Sequence, residues 1–495
     1  MGAGRVHLLL TTLAALAMAG CVAGPNFERP APPEVSDYTA HPAPATVATA
    51  GVAGGEAQRF LRGADIPGDW WTLFHSRPLN DLIERALADN HDLKAARAAL
   101  LVARENVLAQ RGAYFPTVTG GFAATRQRTS AVLAPTPNSN ALEYSLITPQ
   151  VSVSYVPDVF GLNRRGVESA KAQEDAIRYQ AIATDLTLTA NVAGAYIQEA
   201  SLEAQIDATR QTIEIDGKLV QALKYQLAKG YASGLDLAAQ QAQLAQVAAT
   251  LPPLIKQAQQ QRDLLATLTG RYPSQAPEDS FALASLTLPG DLPVSLPSAL
   301  VAQRPDVLQA QANLHAASAQ IGVAAASRLP NLELTANAGS TALALGQVFG
   351  SGTGFWGLGA SLTQPIFDGG TLLHRERAAK AAYVQAAEQY RGTVLTAFQN
   401  VADTLAALGQ DALALKATAA AADAAKTTYD LSERQWRDGY ASYLSLLSAE
   451  QAWQQARIGL TQAQANRYAD TVALFQALGG GWWRRSDLAE DKDAR

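Results

Sequence analysis

The sequence predicts a mostly α-helical chain with a few β-strands, built from one helix–strand–strand–helix–helix unit used twice. Three observations support this class. Segments of the two halves match at a near-constant offset, two very long stretches contain no proline, and four short segments alternate apolar with polar residues. With 495 residues the chain is also too long for one ordinary compact core.

The duplication is legible residue by residue. Asn90-His91-Asp92-Leu93 opens a helical pattern ending at Pro116, and Arg304-Pro305-Asp306-Val307 opens another ending at Pro330. Ala96, Leu100, Ala103, Val107 and Pro116 correspond to Ala310, Leu314, Ala317, Ile321 and Pro330 at an offset of 214. Further on, Gly230-Tyr231-Ala232-Ser233 recurs as Gly439-Tyr440-Ala441-Ser442, and Leu235 and Leu237 as Leu444 and Leu446, at an offset of 209. The few residues lost between the two offsets belong to a surface loop.

At the N-terminus, Arg5 precedes the apolar run Leu8 to Ala17, followed by Met18-Ala19-Gly20-Cys21. A basic start, a short apolar stretch and small residues before a cut describe a secretory signal over residues 1–20, too short to span a membrane. The segment resembles a bacterial lipobox, with Met18 where Leu is usual, so Cys21 is the expected lipidation site. An ordinary signal with an incidental cysteine is the alternative. Residues 21–75 then form an anchored extended segment, 76–295 the first repeat, 296–479 the second, and 480–495 a C-terminal tail.

Within the repeats, Val307, Leu314 and Ile321 recur seven apart, as do Ala310, Ala317 and Ala324. Large and small residues alternating along such a seam are a coiled-coil signature. The last helix repeats it with Leu446, Trp453, Leu460 and Leu474 and with Ala449, Ala456, Ala463 and Ala477. Arg467 and Asp470 interrupt the pattern, which fits a two-sided bundle, a water-facing wall or a frayed segment. The proline-free helices run from Leu162 to Lys229 and from Thr371 to Asp438, each about 100 Å long at 1.5 Å per residue.

The strands fall at about 116–130 and 143–158, and again at about 330–345 and 354–367. Val151, Val153 and Tyr155 oppose Ser152 and Ser154. Leu332, Leu334, Ala336 and Ala338 oppose Glu333, Thr335 and Asn337, and Trp356, Leu358, Ala360 and Leu362 alternate with glycine and polar positions. Period-2 alternation fits a half-buried soluble sheet or a membrane barrel. The signal and the long helices favour the barrel. Four strands cannot close one, because the smallest membrane barrels need about eight and an open edge in lipid strands backbone polar groups. Two or three chains must therefore combine, and a wide lumen favours three. Ser130–Asn140 and Gly346–Gly354 are the expected hairpin tips. The glycines at 350, 352 and 354 do not lie between a strand and a helix N-terminus, so they read as loop and not as a phosphate cradle.

Composition excludes several classes. A net charge of −5 and a pI near 5.8 leave no basic footprint for nucleic acid. Cys21 is the single cysteine, and the six histidines are scattered with no i, i+4 pair, which argues against a metal site. No nucleophile elbow, His-Glu-x-x-His or phosphate loop in context suggests an enzyme or a cofactor.

Several motifs together resemble the outer membrane factors of resistance-nodulation-division (RND) efflux pumps, the TolC-like group, and within it the NodT-type lipoproteins. They are Cys21 to Phe27 with Arg29-Pro30, Asp69-Trp70-Trp71-Thr72-Leu73-Phe74, Leu296-Pro297-Ser298 with Arg304-Pro305-Asp306-Val307, and Gln364-Pro365-Ile366-Phe367-Asp368-Gly369-Gly370. The resemblance implies a homotrimer with a 12-stranded barrel in the outer membrane, a helical periplasmic tunnel and a mixed equatorial belt. The belt would use the N-terminal segment, Arg271 to Leu296 and the C-terminal tail. It implies a passive exit duct for small molecules, partnered by a periplasmic adaptor and an inner-membrane RND transporter. Gly230, Tyr231, Ser233, Gly439, Tyr440 and Ser442 would be adaptor-contacting tips, though plain turns between helices remain the alternative. Related channels carry Leu-x-x-x-Asp-Ala-x-Arg after the second tip. Leu444, Ser448 and Gln451 stand there, implying a gate that closes by Leu444 packing more than by charge, with Asp236 and Asp438 the nearest acids. A duct for type I protein secretion and a non-channel coiled-coil scaffold are the rival readings.

Overall fold

Runs of good helix formers without proline give the two longest elements of the computed structural model, which describes residues 22–130, 143–276 and 281–489. In chain order the elements are β1 (Arg59–Arg62), α1 (Arg77–Asp89), α2 (His91–Arg111), β2 (Thr117–Arg128), β3 (Glu143–Tyr155), α3 (Leu162–Ala228), α4 (Gly234–Leu268), β4 (Asp291–Val294), α5 (Pro297–Gln303), α6 (Pro305–Ala326), β5 (Asn331–Ser340), β6 (Gly354–Thr363), α7 (Thr371–Arg437), α8 (Tyr443–Ala477) and α9 (Ser486–Ala489). The expected signal segment, Cys21 and the expected tip loop beyond Ser130 lie outside the described residues.

The duplication holds to the residue in the lengths of the four longest helices. α3 and α7 each have 67 residues, and α4 and α8 each have 35. Each long helix starts on the same device, an aspartate that accepts two backbone N–H groups of the first turn. Asp158 accepts from Asn163 at 2.9 Å and Arg164 at 2.8 Å, and Asp368 accepts from Gly370 and Leu372, both at 2.8 Å. A carboxylate there satisfies orphan donors and meets the positive end of the helix dipole, which holds the Asp368 carboxyl below its ordinary range. One element defies simple breaker logic: α4 runs through Pro252 and Pro253. Both prolines are exposed, so water can satisfy the carbonyls they leave unpaired.

The described residues divide into two units. The first holds one antiparallel sheet in the order β2-β3-β5-β6. An N-terminal strap packs in the same unit. The Ala23 N–H donates to the Phe160 carbonyl at 2.9 Å, Arg165 donates to Ala23 O and to Asn26 Oδ1, and Phe27 stacks on His315 at 4.3 Å. Gly161, at φ +82°, lies so close to Val22 that a Cβ would sit 2.6 Å from Val22 Cγ1.

The second unit contains a parallel pair, β1 with β4, closed by a two-pronged Arg59–Asp291 bond at 2.8 and 3.0 Å. Trp70 and Phe74 are fully buried there, and Trp70 stacks on Phe475 at 5.3 Å. Arg304 grips Asp306 with two bonds and donates to the Ala477 carbonyl at 2.8 Å. Arg467 is neither on a water-facing wall nor in a frayed turn. It is buried and donates to the carbonyls of Leu408, Gly54 and Glu56 and to Thr46 Oγ1, tying α8 to the N-terminal segment. The heptad pattern breaks there because the helix meets irregular backbone, whose free carbonyls need a donor.

Candidate functional site

The sheet of the first unit separates its two faces by chemistry. Its register puts Val118 opposite Val153, Val153 opposite Ala336, and Ala336 opposite Leu358. The next rows on that face are Val151, Ala338 and Trp356, then Tyr155, Leu334 and Ala360. The opposite face carries Thr119, Ser152, Asn337 and Gly357 in one row and Thr117, Ser154, Thr335 and Gly359 in the next. Among the described residues no core covers the apolar face: Val118, Phe122, Trp356, Leu358 and Leu362 are all exposed. A soluble sheet buries its apolar face, so this one is built for another apolar medium. Within the sheet, β2 and β6 each have one unpaired edge.

The helix tips lie in the second unit. α3 ends in a Schellman motif, with Tyr231 N–H donating to Gln226 O at 2.8 Å and Gly230 N–H to Leu227 O at 3.0 Å. α7 ends identically, with Tyr440 N–H on Gln435 O at 2.8 Å and Gly439 N–H on Trp436 O at 3.1 Å. The motif demands a left-handed residue, and Gly230 and Gly439 have φ of +80° and +81°. Tyr231 and Tyr440 project outward, 82% and 87% exposed. Ser233 caps α4 in a capping box with Asp236, while Ser442 caps α8 by accepting from Ser445 N–H at 3.3 Å. Asp236 therefore spends its charge on a helix cap.

Of the sequence-predicted gate residues, Leu444 is 65% exposed. Ser448 Oγ donates to the Leu444 carbonyl one turn back at 3.0 Å, and Gln451 Nε2 donates to Gln243 Oε1 on α4 at 2.5 Å. Gln451 is thus a tie between helices. Behind Leu444 lies a tip core of Leu223, Tyr429, Tyr443, Leu446, Leu447 and Ala449, with Trp436 and Trp453 packed against it. Trp453 stacks on Tyr429 at 4.8 Å. Sequence reasoning missed two buried acids beside this core, Asp216 and Glu450. The signal was present: Glu450 falls on the stripe Tyr443, Leu446, Leu447, Glu450, where helical spacing expects an apolar residue.

Residues 82–271 and 296–480 match the family described as outer membrane efflux protein. The chain belongs to the outer membrane efflux proteins. The two matched stretches correspond to its two structural repeats. The pyoverdine export outer membrane protein OpmQ of Pseudomonas putida is 32% identical over 454 residues, covering 89% of this chain and 94% of that one. The probable efflux pump outer membrane protein TtgC of the same species is 30% identical, with 98% of each covered. Among solved structures, the open MtrE outer membrane channel of Neisseria gonorrhoeae superposes with a TM-score of 0.79 at 27% identity, covering 94% of this chain and 99% of that one. The fold is accordingly that of the TolC-like channels, and this efflux protein is an outer-membrane channel component of an efflux pump.

Proposed function

We propose that three copies close a 12-stranded barrel in the outer membrane and that the long helices line a periplasmic exit duct for small molecules. The observation that carries this reading is the four-stranded sheet with an uncovered apolar face and two open edges. In lipid each unpaired edge group costs several kcal/mol, so β2 of one copy pairs with β6 of the next. The polar face of threonine, serine, asparagine and glycine then lines a wet lumen.

The duct performs no chemistry. It offers a polar path, and energy and selection come from an inner-membrane RND transporter joined through a periplasmic adaptor. Gly230–Ser233 and Gly439–Ser442 are the adaptor-contacting tips, with Tyr231 and Tyr440 as amphipathic contact surface. Leu444, backed by the tip core, closes the mouth by apolar packing, and Ser448 and Gln451 contribute no charge. Lipidation at Cys21 is supported by the strap, because Val22 packs against Gly161, six residues beyond the end of β3. An acyl chain adds membrane affinity of about 0.8 kcal/mol per buried CH2. Co-purification of the adaptor with wild-type protein and with Gly439→Pro tests the assembly. Equal recovery with both would remove the tips from the reading.

A further inference from the structure

Asp216 on α3 is wholly buried and Glu450 on α8 is 2% exposed. Each presents one buried carboxyl oxygen, Asp216 Oδ2 and Glu450 Oε2, with no hydrogen-bond donor among the described residues, and the two acids lie close enough to act on each other. Two carboxylates have only acceptors, so these two oxygens satisfy each other only while one proton is shared between them. The surroundings assign that proton. Gln240 Nε2 on α4 donates to Asp216 Oδ1 at 2.8 Å, and Gln240 Oε1 accepts from the Tyr443 hydroxyl. Asp216 is therefore the acceptor and Glu450 the donor.

We infer that Asp216 and Glu450 form a one-proton latch holding α8 against α3, and that losing the proton in alkali loosens the mouth. The inference rests on reading the tips as the channel mouth and adds a regulator to it.

Besides Asp216, the charge of Glu433 on α7 also favours keeping the proton on Glu450. Asp236 on α4, Asp430 and Glu433 on α7, and the hydroxyls of Tyr429 and Tyr443 all face this region with negative or acidic groups. The cations close by are already engaged: Lys426 pairs with Asp430, and Arg437 with Glu433 at 2.7 Å. Burial first, and then Asp216, push the Glu450 carboxyl up to about 9. Because this folded-state value lies above the ordinary one, the latch is complete at low pH and fails as pH rises through about 9. Once the proton leaves, two buried charges face each other across the α3–α8 contact, and separating the helices to admit water relieves them. One proton permits at most about a tenfold change in the latched-to-unlatched ratio per pH unit.

The test uses the full-length channel in planar bilayers between pH 7 and 10, as wild type, Glu450→Gln and Asp216→Asn. Hydrogen exchange of residues 443–455, corrected for the intrinsic pH dependence, runs in parallel in detergent. An amide at either position keeps a donor in the pair at every pH. The expected result is at least a tenfold rise in wild-type closed-state leakage and in corrected exchange, with both variants flat. Matching pH profiles in wild type and variants overturn the latch. If no protein conducts at any pH, the channel reading fails, and the exchange data still decide the latch.

Discussion

Replacing Leu358 by arginine separates a lipid-facing sheet from a soluble one. Leu358 is the fifth of ten residues in β6, lies opposite Ala336 and is 77% exposed in the protomer. On a surface facing water, a change at so open a site shifts stability by no more than about 0.5 kcal/mol. At the middle of a membrane strand, arginine costs about 2–4 kcal/mol. Three symmetric copies raise that to about 6–12 kcal/mol per trimer. Thr119→Arg, on the opposite face, is the control, since a wet lumen accepts the charge. The assay is the yield of heat-sensitive oligomer in the outer-membrane fraction, followed by urea titration of the protein folded in vesicles. Leu358→Arg should collapse the yield and Thr119→Arg should leave it near wild type. Equal tolerance of both would refute the assignment of the apolar face to lipid.

Further outcomes follow from the second unit. Leu444→Ala should raise closed-state conductance, and the leakage should change little between low and high salt because Ser448 and Gln451 are neutral; unchanged leakage counts against apolar closure. Gly439→Pro forces φ from +81° to about −65° and removes the bond to Trp436 O, a local penalty of about 1–3 kcal/mol. It should abolish adaptor co-purification while the trimer persists. The Asp470 carboxyl is pushed up to about 7 by burial and then by the charge of Asp411. Its folded value exceeds the ordinary one, so stability present in acid should decline as pH rises from about 4 through about 7. Asp470→Asn should flatten that slope in a pH series of thermal melts.

Much of this architecture was legible because it is periodic. Spacing of two found the strands, spacing of seven found the seams of α6 and α8, and the repeated Gly-Tyr-Ala-Ser found both tips. The RND-type family resemblance was legible in local motifs whose physical roles the structure supplies: Asp368 starts α7, Arg304 grips Asp306, and Trp70 stacks on Phe475. What escaped depends on contacts between distant segments. Arg467 broke the α8 seam without revealing that three of its acceptors lie more than four hundred residues away, at Thr46, Gly54 and Glu56. Asp216 and Glu450 looked like ordinary helix carboxylates, because their pairing joins two repeats. Pro252 and Pro253 sit inside a continuous helix, an outcome that depends on solvent exposure and not on local propensity. Leu444, Ser448 and Gln451 lie in the first turns of α8, and only the tertiary contacts make Gln451 a tie to Gln243.

The central claim is that one chain supplies a third of a closed barrel. Native mass measurement of the detergent-extracted, conducting protein tests it most directly. The account predicts a single species of three chains, each 52.1 kDa less the expected signal segment if that is cut, and no conductance from smaller forms. A conducting monomer, or a closed assembly of any other number, would contradict it.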